Sequence, residues 1–121
     1  MTTKRQMPSF EKSPPEVVDR FGAVLDRFPE AARRKMFGYP AAFVGGNMVA
    51  GLFGRSWIVR LPDADREELL RIKGAGPFEP MPGRPMKGFA VVPPSIVGDD
   101  PAIDDWVKRA IAHGRSMPAK G

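Results

Sequence analysis

The apolar positions of the chain first repeat at helical spacing. Ser13-Pro14-Pro15-Glu16 has the composition of a helix start, with serine as the N-cap and glutamate three residues after it. A single apolar stripe follows at intervals of three and four residues, made by Val17, Val18, Phe21, Val24, Leu25 and Phe28. This spacing predicts an amphipathic helix that ends at or just before Pro29.

Shorter apolar runs separated by turn residues come next, and they predict strands. Residues 36–44 form the first run, interrupted at Tyr39-Pro40, and Gly45-Gly46-Asn47 then supplies a tight turn. Residues 48–53 form the second run. After the turn at Gly54-Arg55, the side chains at positions 57, 59 and 61 alternate with those at 58 and 60, which is the period of a half-buried strand. Three short strands joined by tight turns predict an antiparallel meander.

The second half of the chain predicts two helices around a segment rich in glycine and proline. Asp63 or Asp65 caps a helix that carries Leu69 and ends at Gly74. Residues 74–88 contain most of the glycine and proline of this half, and Phe78-Glu79 is a candidate edge strand within them.

The chain closes with a strand at residues 89–92 and a helix that opens at Asp100-Pro101. The buried face of that helix is made by Ile103, Trp106, Val107, Ala110 and Ile111. The predicted order is therefore α-β-β-β-α-β-β-α. Because the strands come in hairpins between helices, the fold class is α+β.

Length and composition indicate one folded unit. The 121 residues are 42% hydrophobic and 27% charged, within the range of an ordinary single domain. We expect a domain over residues 13–114 between flexible tails at 1–12 and 115–121.

The chain has no cysteine, which excludes disulfides and thiolate metal sites and fits a reducing compartment. It has neither an apolar run of about 18 residues nor a signal peptide at its polar N-terminus. We therefore expect a cytoplasmic protein without a membrane partner.

The net charge is +5, which favours an anionic partner such as nucleic acid. The excess is spread along the chain and forms no block, so solubility is the simpler explanation. The densest group of cations is Arg33-Arg34-Lys35, which the pattern places in a solvated connector before the meander.

The side chains show no catalytic constellation. His113 is the one histidine, near the end of the last helix, where a charged imidazole would suit the helix dipole. The carboxylates fall into two groups at helix starts, which the same dipole explains, and neither glycine turn matches a phosphate loop. We therefore expect a protein that is not an enzyme and needs no cofactor or metal. Trp57 and Trp106 lie on apolar faces and are predicted to be core.

Two segments resemble a known family. Arg34-Lys35-Met36-Phe37-Gly38 precedes the glycine-turn hairpin, and residues 78–89 read Phe-Glu-Pro-Met-Pro-Gly-Arg-Pro-Met-Lys-Gly-Phe. With the closing helix at Trp106-Val107, they resemble the TfoX/Sxy N-terminal domain family over residues 17–112. The resemblance implies a two-layer, secretion-chaperone-like fold with helices on one face of an antiparallel sheet.

Full-length members of that family are bacterial regulators of natural competence and carry a C-terminal domain of helix-hairpin-helix character. Because this chain stops at Gly121, we expect a stand-alone N-terminal-type domain. The family supplies no catalytic residues to transfer.

Our leading hypothesis is a regulatory or interaction domain with a protein partner, either a monomer or a homodimer. Methionine adapts to varied contacts, and arginine is frequent at interfaces. The candidate interaction surface is Met36, Phe37, Gly38, Met81, Arg84, Met86 and Lys87. The alternative is a nucleic-acid-binding protein whose contacts are Arg33, Arg34, Lys35, Arg84 and Lys87.

Overall fold

The computed structural model describes residues 13–36, 38–80, 83 and 86–118. Three predicted contact residues, Phe37, Met81 and Arg84, lie outside these residues, and so do the predicted tail segments 1–12 and 119–121. Over the part of the chain that is described, no helix combines the length and the apolar character that a membrane crossing requires.

Four helices and six strands make up the described chain. In chain order they are α1 (Pro15–Leu25), β1 (Ala32–Met36), β2 (Tyr39–Val44), β3 (Asn47–Phe53), β4 (Ser56–Arg60), α2 (Asp63–Leu70), β5 (Gly76–Pro77), β6 (Phe89–Val92), α3 (Pro94–Val97) and α4 (Asp100–Ser116).

The strands form one open antiparallel sheet with the order β1-β2-β3-β4-β6-β5. Tight turns join the first four strands, and at the β2–β3 turn both Gly45 and Gly46 adopt positive φ, as the sequence predicted. Strands in hairpins with helices before and after them confirm the α+β class.

The main core lies between the helices and one face of the sheet. Phe21, Leu69 and Trp106 come from three helices and pack in the same buried cluster as Trp57 and Val59 of β4. Both tryptophans are at most 5% exposed, which confirms their predicted place in the core.

Helix α4 approaches the sheet closely at Gly114. The β2–β3 register shifts after Ala42, which leaves Val49 without a partner on β2 and places it in the main core. A Cβ added to Gly114 would lie 2.5 Å from Cγ1 of Val49 and 3.1 Å from Cβ of Val44. The helix reaches this distance only because residue 114 has no side chain.

The structure has one strand more than the sequence predicted before α2. Arg33-Arg34-Lys35, predicted as a connector, lies in β1 and pairs with β2 from Arg33↔Ala42 to Lys35↔Pro40. Four residues of β1 are exposed, so the strand has no apolar alternation that a sequence pattern could reveal. The short edge strand is Gly76–Pro77, two residues before its predicted place, and α3 was not predicted.

The predicted N-caps of the first two helices are wrong. Pro14 occupies the N-cap position of α1 and no side chain caps this helix, while the hydroxyl of Ser13 donates to the carbonyl of Gly54 at 2.7 Å. Pro62 precedes α2, which therefore has no side-chain cap. In α4 the cap is Asp99, one residue before the predicted one, and it accepts from the amide of Ala102.

The C-terminal segment continues beyond the predicted end of the last helix. Arg115 pairs with Glu30 at 2.9 Å, and the Asn47 side-chain amide donates to the carbonyl of Pro118 at 3.0 Å. The first four residues of the predicted tail are thus held against the domain.

Candidate interaction surface

The face of the sheet opposite the helices is the candidate interaction surface, and we call it the helix-free face. Alternation along the paired strands places these side chains on it: Arg34, Met36, Tyr39, Phe43, Met48, Phe53, Ile58, Arg60, Phe89 and Val91. Ile58 and Phe89 form a second buried cluster there with Phe78. No described helix packs against this face.

Phe78 and Met86, between β5 and β6, lie on the helix-free face and cover part of it. The amide of Met86 donates to the carbonyl of Phe78 at 2.8 Å, which closes the segment into a loop over the sheet. The rings of Tyr39, Phe53 and Phe78 follow one another beneath it, with centroids 5.2 and 5.3 Å apart. This aromatic row fixes the loop to the sheet.

A small hollow of about 100 Å³ lies beside this row. Met36 at the end of β1 and Met86, three residues before β6, both line it, together with Met48. Two parts of the predicted surface, fifty residues apart in sequence, therefore meet around one apolar depression. Gly38 lies next to it in the exposed β1–β2 turn with a φ of 84°.

Met86 stands out by its exposure. It is 39% exposed, and among the described residues only Leu70, at 38% on α2, is a comparably exposed large apolar side chain. Exposed apolar atoms beside a depression are a common mark of an interaction site.

Cations border the apolar part of the helix-free face. The guanidinium of Arg34 lies 5.5 Å from the centroid of Phe43, and that of Arg60 lies 5.7 Å from the centroid of Phe89. Lys87 is exposed next to Met86. The described carboxylates form no ion pair with Arg34, Arg60 or Lys87.

Sequence reasoning missed Arg60. The alternation of residues 57–61 was the available signal, because it places Arg60 on the same side of β4 as Ile58 and away from Trp57.

The basic triplet does not form one patch. Strand alternation sends Arg33 toward the helices, where it pairs with Asp26 after α1, and sends Arg34 to the helix-free face. The rings of Phe43 and Phe89 are 9% and 4% exposed, so neither offers a free platform for a stacked base. Two of the predicted nucleic-acid contacts, Arg33 and Arg34, thus lie on different sides of the sheet.

The acidic groups at the helix starts are largely paired with arginines. Arg109 contacts Glu68 at 3.0 Å and Asp105 at 3.1 Å, and its guanidinium lies 4.3 Å from the Trp106 ring. Arg20 hydrogen-bonds Asp100 at 2.7 Å, which holds the pKa of that carboxyl below its ordinary value. Within the described ranges, no three His, Cys, Asp or Glu side chains are grouped as a metal site.

His113 lies on α4 as predicted, but its environment disfavours the charged form. Burial, and then the charge of Arg60, hold the pKa of its imidazole below the ordinary value of 6.5. The prediction that the helix dipole would favour a charged His113 imidazole is therefore not met, because burial and the charge of Arg60 favour the neutral form.

This environment predicts a pH dependence of folding. Between pH 7.5 and 5.5 the unfolded chain takes up a proton at His113 more readily than the folded chain does, so the free energy of unfolding should fall as the pH falls. Urea unfolding at pH 7.5, 6.5 and 5.5 measures this fall. Few other side chains titrate in this window, so the variant His113→Gln should flatten it. A wild-type stability that rises toward pH 5.5 would contradict the assignment.

Comparison with known protein families gives one match. The family model described as the TfoX N-terminal domain matches residues 23–114, a span that runs from within α1 through most of α4. A comparison with curated proteins gave no significant match.

Proposed function

The chain belongs to the TfoX N-terminal domain family, and from this premise we propose that it is a non-enzymatic interaction domain that binds a partner protein through its helix-free face. Membership of the family suggests a regulatory or interaction domain. The observation that carries the finer proposal is that Met36 and Met86 line one apolar hollow on this face. Regulation of natural competence, which the resemblance implied, would act through such a partner.

The chemistry of this face supports one kind of partner. Met86 and the hollow offer a place for one or two apolar side chains, and methionine adapts its shape to what it meets. Arg34 and Arg60 on the same face, and Lys87 next to Met86, form no ion pair with a described carboxylate, so acidic groups would complement them. We therefore propose a partner segment that combines aspartate or glutamate with leucine, methionine or phenylalanine.

Selection from phage-displayed random 12-residue peptides on the immobilised chain tests this proposal. The enriched peptides should carry acidic and apolar residues together. Met86→Ser should weaken their binding about fivefold, because a partly buried methionine contact contributes roughly 1 kcal/mol. Fluorescence anisotropy with labelled peptides measures the change.

Leu70→Ser is the matched control, since it removes an equally exposed apolar side chain from α2 and should leave peptide binding unchanged. Equal weakening by both variants would mean that the helix-free face is not the site. Labelled DNA and RNA provide the competing test. Suppose that they bind at physiological salt with a Kd far below the ~10⁻⁴–10⁻⁶ M of non-specific contact, and that Arg34→Gln weakens this binding. The partner is then a nucleic acid and not a protein.

A further inference from the structure

The two edges of the sheet differ in how open they are to a further strand. Strand β5, at one edge, is the dipeptide Gly76–Pro77, whose proline has no amide hydrogen to donate. Strand β1, at the other edge, has five residues and no proline. Four of these residues are exposed, and no described strand pairs with their outer side. The edge at β1 is therefore the one that can accept another strand.

The register of β1 shows which of its backbone groups point outward. Opposite residues of an antiparallel pair alternate between a type that exchanges both N–H···O bonds and a type that exchanges neither. Lys35 lies opposite Pro40, which has no N–H and no paired residue on β3, so this pair is of the second type. By alternation Arg33↔Ala42 is of the same type. The amides and carbonyls of Arg33 and Lys35 therefore point away from β2.

The side chains along this edge favour an acidic strand. Arg34 lies on the helix-free face, and strand alternation places Lys35 on the opposite face. Neither cation forms an ion pair with a described carboxylate, whereas Arg33 is paired with Asp26. Carboxylates on an added strand would lie next to both free cations and complement their charge. The next residue, Met36, lines the apolar hollow, so an apolar side chain suits the position opposite it.

We propose that the partner segment adds to the outer edge of β1 as a seventh strand, antiparallel to β1 as all neighbours in this sheet are. Read from its N-terminus, the segment carries an apolar residue opposite Met36 and then acidic residues opposite Lys35 and Arg34. Its backbone exchanges hydrogen bonds with Lys35 and Arg33, and these bonds fix its register. The proposal rests on the proposed function, because it states how the partner of the helix-free face is held.

Fluorescein-labelled Thr-Leu-Glu-Asp-Val-Thr-amide, with its leucine opposite Met36, is the probe for anisotropy with the full chain. Methylation of the glutamate nitrogen removes a donor that faces β1 and should weaken binding about tenfold or more. Methylation of the aspartate nitrogen, which points away from β1, is the matched control and should leave the Kd unchanged. Lys35→Gln should weaken the peptide about threefold, whereas Arg71→Gln, at an exposed arginine after α2, should not.

Hydrogen exchange followed by ¹H–¹⁵N NMR locates the bound peptide. In the free chain the amides of Arg33 and Lys35 should exchange faster than that of Arg34, which bonds to β2. Saturating peptide should slow exchange at Arg33 and Lys35 about tenfold or more. If these two amides are instead protected in the free chain, to a degree that rises with protein concentration, a second copy occupies the edge and the proposal is overturned.

The peptide measurements also separate strand addition from the proposed function. If Met86→Ser weakens the peptide but the two methylated peptides bind alike, the helix-free face binds its partner without strand addition. If the methylated peptides differ as expected and Met86→Ser has no effect, the edge accepts a strand and the proposed role of the hollow is wrong. Absence of saturable binding at millimolar peptide rejects strand addition outright.

Discussion

Replacement of Leu69 by alanine should lower the free energy of unfolding by about 2–5 kcal/mol, the usual cost of deleting a fully buried leucine side chain. Leu69 is 0% exposed and is the one buried residue of α2. Ion pairs such as that of Arg109 with Glu68 also connect α2 to the domain, but exposed ion pairs contribute little stability. Since a domain of this size is stable by only 5–15 kcal/mol, the variant should lie near its unfolding threshold. Urea unfolding followed by circular dichroism measures the loss.

The neighbouring residue supplies the control. Leu70 has the same side chain in the same helix but is 38% exposed, and Leu70→Ala should stay within about 0.5 kcal/mol of the wild type. Comparable losses for the two leucines would show that α2 is not anchored by Leu69.

Gly114→Ala should also destabilise the protein, although alanine is the better helix former by about 1 kcal/mol. The added Cβ would lie 2.5 Å from Val49 and 3.1 Å from Val44, two β-branched side chains with little rotamer freedom. Overpacking of this kind costs about 1–3 kcal/mol and opposes the gain in helix propensity. Because two contacts are affected, we expect a net loss of about 2 kcal/mol, or a fall in Tm of roughly 8 °C or more.

Two further variants show whether the clash is the cause. Gly22→Ala places the same change in the interior of α1, where the new Cβ would meet only the end of the Arg33 side chain at 3.9 Å, so it should stabilise the protein slightly. Val49→Ala removes the atom nearest to residue 114. The double variant should therefore lose less stability than the sum of its two single changes. If Gly114→Ala raised the Tm, the close approach would not exist in solution.

The sequence was informative where local chemistry determines structure. Apolar spacing located α1 and α4, and Gly45-Gly46 located a hairpin turn, because helix periodicity and positive φ are properties of short segments. The caps were less predictable. Ser13 follows the capping pattern, but its hydroxyl bonds instead to Gly54, forty-one residues away.

Strand β1 shows what a local pattern cannot reveal. Its residues Arg33, Arg34 and Lys35 are exposed, and they form a strand because the edge of β2 is available for pairing. The candidate surface depends on the same kind of long-range information. The loop composition predicted that Met86 would be a contact residue, but only the fold brings it and Met36 to one hollow.

The position of β1 at the end of the sheet has a consequence for how copies of the protein behave in concentrated solution. Its outer edge pairs with no described strand, so its backbone amides and carbonyls could extend the sheet into a second molecule. A second copy that approached this edge would bring its own Arg34 and Lys35 against the same two cations, which form no ion pair with a described carboxylate, whereas Arg33 is paired with Asp26. Charge repulsion between these cations would therefore oppose strand addition, and salt would weaken that repulsion.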